Sequence, residues 1–468
     1  MPICPCFSSG TPYPVIMTDI HASKLRMIGF SLPALGLNML VTAVFVFLPP
    51  LYAEHRGMGA ATVGLIFLMA KVIDMIAAPI WGLFMDSFRT RWGRRRPWLA
   101  LSAPILVVAI LMLYNPPESA AGLYLFIWLA TLYIGWDAWT ISHTAWALEL
   151  SRDYDRRSRI TGLLQVMVIV GGILISLVPA IMERIGSPTY EETTSAIGLF
   201  MMIVLPITAV VCLLSVPERE TPNRPHLGFR KGAAILFSNP ALLRLMVANA
   251  LLTFSTYFVQ GLFVFFVSYT LKLEDRIGFI LVFLVIGGLI GLPVWIKLSE
   301  YWSKHHAMQM AVTTGALAPL LLLVLPPVSI VLTTVAFLIV GLNTSANEFL
   351  PRAMMADVCD QDHLHSGSER MGLYYSLLQL SSKFASGIGI FIGFSFLSVF
   401  GFDPELGLDN TAEALQRLRY LIVALPMIAY AIVIGLMWRY PISRERQRET
   451  RDIIEERERL ELDTSVDR

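Results

Sequence analysis

Long apolar runs recur along the whole chain, and each is close to the length that a helix needs to cross a bilayer. Such a helix takes about 20 apolar residues, and inside the hydrocarbon core only helices and closed barrels satisfy every backbone polar group. The pattern predicts an all-α membrane protein with twelve transmembrane helices. The runs lie near 27–53, 60–86, 97–115, 121–149, 158–183, 194–216, 241–271, 275–299, 306–326, 329–357, 370–401 and 416–440.

A polar stretch beginning at Pro217, PERETPNRPHLGFRKGA, separates the first six runs from the last six. This spacing predicts two six-helix bundles with a substrate held between them, as in many secondary transporters. Composition agrees, because 55% of the residues are hydrophobic and 15% are charged, against about a quarter charged in soluble domains. The predicted divisions are an N-terminal segment 1–26, a bundle 27–216, a linker 217–240, a second bundle 241–440 and a tail 441–468.

Alternate connections between the runs differ in charge. SFRTRWGRRRP, SRDYDRRSR, KLSEYWSKHH and DQDHLHSGSER are basic, whereas YAEHRGMG, YNPPESAAG and LPPVS carry few Lys or Arg. Cationic loops resist translocation, so the basic set is predicted to be cytoplasmic. The linker and tail belong to that set, which places both termini in the cytoplasm of a multi-pass protein of the cell (inner) membrane. A monomer is the default expectation for such a fold.

Several function classes find no support in the sequence. The net charge of +1 gives no reason to expect a nucleic-acid partner. We find no Walker A pattern, no nucleophile–base motif and no metal-ligand spacing among the four cysteines. We therefore expect no metal and no cofactor, and an enzyme or receptor is the weakest interpretation.

Ionisable residues inside the apolar runs are the strongest indication of a site, because each costs at least a few kcal/mol at the bilayer centre. Asp74 lies in the second run and Lys383 in the eleventh. Two interpretations stand: a static ion pair joining the bundles, or a pair that breaks and re-forms during transport. Glu348 either pairs with Arg352 one turn later or faces the cavity.

Polar and aromatic residues in the fourth run form a second group of candidates. Asp137 and His143 occur there among Trp136, Trp139 and Trp146. Aromatic rings at this depth can stack on a sugar, and they also occur in membrane proteins for packing reasons. His143 is either a packing residue or a proton relay.

The loop MDSFRTRWGRRRPW after the second run combines one acid with several arginines. We interpret Asp86, Arg94, Arg95 and Arg96 as a candidate cytoplasmic gate, in which the charges contact a neighbouring helix and separate when the bundles rock. The alternative is that the arginines only set the topology.

Three blocks of sequence resemble the major facilitator superfamily and, more closely, its glycoside–pentoside–hexuronide:cation symporter family. They are KVIDMIAAPIWGLFMDSFRTRWGRRRPW (71–98), ALELSRDYDRRSRI (147–160) and LPRAMMADVCDQDHLHSGSERMGLYYSLLQLSSKF (350–384). The blocks fall in both halves of the chain. The resemblance implies the major facilitator fold and secondary active transport by alternating access.

The resemblance also implies a cation site made by carboxylates on the second and fourth helices facing a lysine on the eleventh. Asp74 matches the first acid and Lys383 matches the lysine, whereas Ala78 and Thr140 stand where two further acids are expected. Because sodium needs several oxygen ligands, this departure favours a proton, which Asp74 or Glu348 would carry. Uncoupled transport stays open.

The resemblance places a less charged sugar-binding cavity between the bundles. Asn38 and Gln165 stand at the positions of an acid and an arginine, and amides bind hydroxyl groups well. We therefore expect a sugar or glycoside as substrate, with a lipid-like amphiphile as the alternative. The predicted substrate-binding residues are Asn38, Trp139, Thr140, His143, Gln165, Asn347 and Gln379.

Overall fold

The structure is a computed structural model. It describes residues 24–88, 90–150, 154–186, 188–216, 218, 239–366, 371–438, 440–442, 445–450, 452–454 and 456. The predicted N-terminal segment 1–26 and the predicted linker 217–240 lie almost entirely outside the described residues, and the predicted tail 441–468 lies partly outside them. The side chain of Asp86 is also outside the described part. The domain boundaries therefore stay predictions.

Twelve long helices follow one another along the described chain. Several of them contain prolines, which transmembrane helices tolerate. The helices are α1 (Lys24–Ala53), α2 (Ala60–Ser87), α3 (Arg96–Tyr114), α4 (Gly122–Glu149), α5 (Tyr154–Ile185), α6 (Tyr190–Ser215), α7 (Pro240–Thr270), α8 (Ile277–Tyr301), α9 (Lys304–Val324), α10 (Ile330–Ser366), α11 (Met371–Val399) and α12 (Ala412–Met437).

Eleven of these helices are long and apolar enough to cross a membrane, within the residues described. The remaining one, α4, has 28 residues but carries polar groups in its middle, including Asp137 and His143. It packs between α2 and α3, so it sits inside the first bundle rather than beside it. The prediction of an all-α membrane protein with two six-helix bundles is confirmed.

Side-chain caps fix the starts of several helices. Thr189 and Glu192 form a reciprocal capping box at the start of α6. Asn239, Ser303 and Thr411 each accept a hydrogen bond from a backbone N–H in the first turn of α7, α9 and α12 respectively. These caps satisfy donors that have no partner within the helix.

The two bundles meet along three pairs of helices: α2 with α11, α5 with α8, and α1 with α7. Glycines allow the first two pairs to approach closely. A Cβ on Gly387 of α11 would lie 3.0 Å from the stem of Lys71, and one on Gly278 of α8 would lie 2.3 Å from the backbone nitrogen of Ala180.

The first helix of each bundle contains a π-helical turn, at Ala43–Phe47 in α1 and at Phe266–Thr270 in α7. Residues 42–53 and 261–271 are buried throughout. Such turns are rare and concentrate at functional positions. Their matching places in the two bundles put both distortions on the same side of the membrane, where α1 and α7 pack together.

We define two faces of the molecule by their connections. The basic face carries the connection 88–95, and the opposite face carries 54–59, 115–121, 271–276 and 400–411. The assignment of the basic face to the cytoplasm stays a prediction.

Adjacent glycines of α8 give a test of the close packing inside the second bundle. A Cβ on Gly287 would lie 2.3 Å from the carbonyl oxygen of Leu338, whereas one on Gly288 would come no nearer than 3.6 Å to its neighbours. We expect Gly287→Ala to destabilise the protein by about 1–3 kcal/mol and Gly288→Ala to be neutral or slightly stabilising. Thermal unfolding in detergent measures both, and an equal loss in the two variants would contradict this packing.

Candidate functional site

Four charged side chains meet between the bundles at the middle of the membrane. Lys383 Nζ of α11 donates to Asp74 Oδ1 of α2 at 2.8 Å and to Asp137 Oδ1 of α4 at 2.5 Å. Lys71 Nζ lies 2.9 Å from the second oxygen of Asp74. We call Lys71, Asp74, Asp137 and Lys383 the central charge cluster. It is the place where side chains of one bundle bind a charge of the other.

Three aromatic rings surround Lys71 in addition to the carboxylate. Its Nζ lies 4.2 Å from the ring centre of Tyr133, 5.4 Å from that of Phe45 and 5.7 Å from that of Trp136. Cations bind aromatic faces at such distances, by about 2 kcal/mol or more when water is excluded. All three rings belong to the first bundle, so the surroundings of the Lys71 ammonium group do not depend on contact with Lys383 of the second bundle.

Burial makes the pairing in the cluster obligatory. Asp74 is 2% exposed, Asp137 6% and Lys71 8%, while Lys383 is half-buried. Removing one partner from a buried ion pair costs about 3–5 kcal/mol because the other charge is left uncompensated. With two carboxylates and two ammonium groups, the fully ionised cluster has no net charge.

Asp137 is the site residue that the sequence interpretation did not place. Counting back from the 147–160 block put the acid of the fourth helix at Thr140, a neutral residue, but the structure supplies the carboxylate three residues earlier. Residues three apart share a helix face, so the count missed by one turn. The signal was present in the sequence as an acid inside an apolar run.

Three buried oxygens at this face of α4 have no hydrogen-bond partner in the described part of the chain: Tyr133 Oη, Asp137 Oδ2 and Thr140 Oγ1. Buried polar atoms of this kind usually mark a place for a ligand, an ion or water. Across the same described residues, no group of three or more His, Cys, Asp or Glu side chains could hold a metal ion.

A polar network fixes α11 beside the cluster. Asn249 Nδ2 of α7 donates to Ser382 Oγ at 2.8 Å and to Ser381 Oγ at 2.9 Å. These serines directly precede Lys383. The network holds this turn of α11 within its own bundle, so Lys383 reaches the first bundle from a rigid base.

Several predicted residues lie on the basic-face side of the cluster and are accessible. Gln379 is exposed and lies one turn from Lys383 on the same face of α11. Glu348 and Arg352 of α10 are also exposed, and among the described side chains neither forms an ion pair. The pairing alternative for Glu348 is therefore not what the structure shows. Asn38 and Gln165 are half-buried, and Asn38 packs over Gly172 of α5.

Three other predicted substrate residues are engaged in packing. Trp139 is fully buried and donates its indole N–H to the carbonyl of Pro33 at 3.1 Å. His143 Nε2 lies 2.8 Å from the carbonyl of Phe30. Asn347 donates to the hydroxyl of Tyr430 at 3.1 Å. For His143 the geometry matches the packing alternative.

The arginines of the predicted gate bind within the first bundle through backbone N–H groups and, for Arg96, also through its guanidinium, which donates to the carbonyl of Leu213 in α6 at 2.5 Å. The Glu218 carboxylate accepts from the N–H groups of Arg94 and Arg95 at 2.7 Å and of Arg96 at 3.1 Å. Gly93 has φ 116°, and a Cβ there would lie 2.1 Å from that carboxylate. Glu218 thus caps the start of α3 and ties the beginning of the linker to it. The role of Asp86 lies outside the described side chains.

Contacts across the interface also close the opposite face. The hydroxyl of Tyr269 at the end of α7 donates to the carboxylate of Glu54 after α1. The carboxylate of Glu183 in α5 accepts from the N–H of Gly278, at the start of α8, at 2.7 Å. The bundles are therefore joined at this face and at the cluster, while exposed polar side chains lie on the basic-face side.

Comparison with known proteins identifies the class of protein. A family model described as MFS/sugar transport protein matches residues 29–444. The chain belongs to this family, and it is a multi-pass membrane protein of the major facilitator class. The predicted family membership is confirmed.

The relatives divide into two groups by the solutes in their names. The isoprimeverose transporter of Lactiplantibacillus pentosus is 25% identical over 91% of this chain and 91% of its own length. A putative glycoside/cation symporter of Escherichia coli is 24% identical over 90% and 92%. The sodium-dependent lysophosphatidylcholine symporter 1 of Homo sapiens is 22% identical over 85% and 79%.

Solved structures support the fold. A bacterial homologue of the human lysosomal transporter Spinster, in an inward-facing and unoccupied conformation, matches with a TM-score of 0.66 at 15% identity, over 90% of this chain and 100% of that one. The nucleoside transporter NupG matches with a TM-score of 0.64 at 11% identity, over 90% and 100%.

Neutralising members of the cluster tests its energetic coupling. We expect Lys383→Met to lower thermal stability because two carboxylates then face Lys71 alone, with a cost of about 3–5 kcal/mol. Adding Asp137→Asn to that variant should restore part of the loss. Gln379→Met, one turn away on the same face, is the control and should change little. Strictly additive losses for Lys383 and Asp137 in unfolding measurements would contradict a shared cluster.

The opposite face should open more readily at high pH. Burial raises the pKa of Glu54 from 4.5 to about 7, with Glu274 adding to the rise and the hydroxyl of Tyr269 opposing it. Because the closed face favours protonated Glu54, its stabilisation is full below pH 4.5 and lost as the pH rises through about 7. Distances between spin labels at positions 118 and 326, one in each bundle, report the change.

Glu54→Gln is the matched variant for this titration, since a neutral amide replaces the acid. It should stay closed across the same pH range. A pH response of equal size in the variant would show that another group is responsible.

Proposed function

We propose that this protein is a cation-coupled symporter in which the central charge cluster links movement of the two bundles to binding of the ion and the solute. The observation that carries the proposal is the pair of charged hydrogen bonds that Lys383 donates across the interface, one to Asp74 and one to Asp137. A charge held by one bundle and neutralised by the other must be re-solvated or re-paired whenever the bundles separate. The relatives named as symporters support the same interpretation.

Alternating access gives the cluster its mechanical role. The contacts at the opposite face and at the cluster join the bundles in the present state, and the accessible polar residues lie on the basic-face side. Rocking to the other state breaks the bonds of Lys383 unless a carboxylate is neutralised in its place. An arriving cation that takes over one carboxylate would release Lys383 and lower the cost of rocking.

We propose a proton as the coupling ion. A proton needs one titratable group, and Asp137 offers a free oxygen beside Lys383. Sodium needs several oxygen ligands, preferably charged. Of the three unpartnered oxygens on this face of α4, on Tyr133, Asp137 and Thr140, only that of Asp137 belongs to a carboxylate. The carboxylates of Asp74 and Asp137 are in addition already paired with lysines.

A sugar or glycoside is the proposed substrate. Asn38, Gln165 and Gln379 offer amide donors and acceptors without a fixed charge, which suits a neutral polyol. The isoprimeverose transporter and the glycoside/cation symporter among the relatives support this class of solute.

A zwitterionic lysolipid is the second candidate. Glu348 and Arg352 lie one turn apart on α10, both exposed and without an ion pair among the described side chains. Such a pair of opposite charges suits a head group with a phosphate and a cationic amine. The lysophosphatidylcholine symporters among the relatives favour this reading.

Uptake into proteoliposomes decides between these possibilities. Labelled mono- and disaccharides and labelled lysophosphatidylcholine are offered under an imposed proton gradient or sodium gradient. We expect proton-driven accumulation of a sugar and no stimulation by sodium. A sodium-dependent rise in substrate affinity would contradict the proposed ion, and transport of the lysolipid alone would select the second candidate.

Lys383→Ala tests the coupling role directly. We expect this variant to insert normally and to lose concentrative uptake, because nothing then connects the carboxylates to the second bundle. Lys297→Ala on α8, a lysine outside the cluster, is the matched control and should accumulate solute as the native protein does. Concentrative uptake at the native level by Lys383→Ala would overturn the proposed mechanism.

A further inference from the structure

A cavity separate from the central charge cluster lies in the second bundle near the opposite face. It has a volume of about 330 Å³ and is bounded by the end of α7, the end of α9 and the beginning of α12. Its walls combine the apolar side chains of Leu323 and Leu415 with the polar ones of Thr270, Lys272 and Arg419. The central charge cluster contributes nothing to it.

Two cationic side chains in the cavity wall, Lys272 and Arg419, indicate that its ligand is an anion. Arg419 is half-buried and donates from Nη1 to the carbonyl of Leu323 at 3.2 Å, and Lys272 is exposed. In the described part of the chain neither cation forms an ion pair, and no carboxylate lines the cavity. The nearby acid Glu413 is already paired with Arg417 at 2.5 Å.

Thr270 supplies an independent sign of a ligand. Its side chain is 7% exposed and lines the cavity, and its hydroxyl has no hydrogen-bond partner among the described residues. A buried hydroxyl without a partner costs about 1–3 kcal/mol. Phosphate oxygens are strong acceptors for the Thr270 hydroxyl, the ammonium group and the guanidinium group alike.

The backbone beside the cavity is held in a fixed shape. Lys272 has φ 55° and Val328 has φ 67°, both in the left-handed region, and the N–H of Val328 donates to the carbonyl of Leu271 at 2.8 Å. This bond joins the end of α7 to the connection after α9, so Lys272 is presented from a rigid turn.

The surroundings of the cavity favour a lipid as the source of the anion. Val324 is 77% exposed and Tyr420 is 53% exposed, beside the cavity at the ends of membrane-spanning helices. Apolar side chains exposed at this level face acyl chains, and tyrosines are enriched where head groups begin. A phosphate in the cavity would therefore have its acyl chains along α9 and α12.

We propose that this cavity binds the phosphodiester of an anionic membrane phospholipid, with Lys272, Arg419 and the hydroxyl of Thr270 as its ligands. The site would also contact Tyr269, which lines the cavity and donates to Glu54 of the first bundle. The lipid would pack against the side chain that closes the opposite face.

The test uses the full chain in detergent, titrated with phosphatidylglycerol, with phosphatidylcholine or with inorganic phosphate. Thermal unfolding and native mass spectrometry report binding. We expect phosphatidylglycerol to stabilise the protein at lower concentration than phosphatidylcholine. The double variant Lys272→Gln/Arg419→Gln should raise the half-saturating concentration of phosphatidylglycerol about 30-fold, from about 1 kcal/mol per basic residue.

Lys297→Gln is the matched control, because Lys297 is an exposed lysine of α8 and is not part of the cavity wall. It should bind phosphatidylglycerol as the native protein does. Lys272→Gln alone, at an exposed position, keeps the test available if the double variant does not fold, and should weaken binding about 5-fold. Thr270→Val should weaken it further when combined with that change.

Unchanged binding in Lys272→Gln, or an equal loss in Lys297→Gln, would overturn the proposal. Competition by inorganic phosphate at millimolar concentration, with no preference for phosphatidylglycerol over phosphatidylcholine, would also overturn it, since the site would then take free phosphate.

Discussion

The cost of holding charge inside the bilayer is the constraint on which the rest of this structure depends. Lys71, Asp74, Asp137 and Lys383 bring four charges to mid-membrane, and each is tolerated because its neighbours neutralise it. Neutralisation needs contact, so α2, α4 and α11 must approach within the reach of a lysine side chain. The glycine at 387 follows from this need, because a larger residue would push against the stem of Lys71.

The two places where the bundles join differ in what it costs to separate them. At the opposite face, separation replaces two hydrogen bonds between the bundles by hydrogen bonds to water, those of Tyr269 with Glu54 and of Gly278 with Glu183. The net loss per hydrogen bond is about 1 kcal/mol. At the cluster, separation leaves buried carboxylates without Lys383, which costs several times more. On the proposed function, the cluster therefore determines when the bundles can rock, and the contacts at the opposite face break more easily.

The sequence predicted the fold well because each membrane-spanning helix needs a long apolar run, and the thickness of the bilayer sets the length of that run. It predicted Asp74 and Lys383 for the same reason, since charges are conspicuous in such runs. It did not place Asp137 in the cluster, because a count from a distant motif carries no information on helix rotation, and a shift of three residues keeps the same face. The sequence also did not predict the three aromatic rings around Lys71 or the cap of α3 by Glu218. Both arrangements join residues that are far apart in the sequence.

The same limit explains the substrate residues. Trp139, His143 and Asn347 are polar or aromatic groups in apolar runs, as Gln379 is, and the sequence treats all four alike. The structure separates them by what each touches: Pro33, Phe30 and Tyr430 already satisfy the first three, whereas Gln379 is exposed. A helix can turn a polar group either towards its own bundle or towards the space between bundles, and packing against neighbours decides which.

Lys71 gives the central charge cluster a positive charge from within the first bundle. A second ammonium in the first bundle, held by Asp74 and three aromatic rings, supplies from within the chain a positive charge that a bound cation would otherwise bring. Asp74 has Lys71 as a partner within its own helix, whereas the partner of Asp137 is Lys383 of the other bundle. On the proposed function, the carboxylate whose protonation releases the second bundle is therefore Asp137. Asp74 serves to position Lys383, which both carboxylates bind.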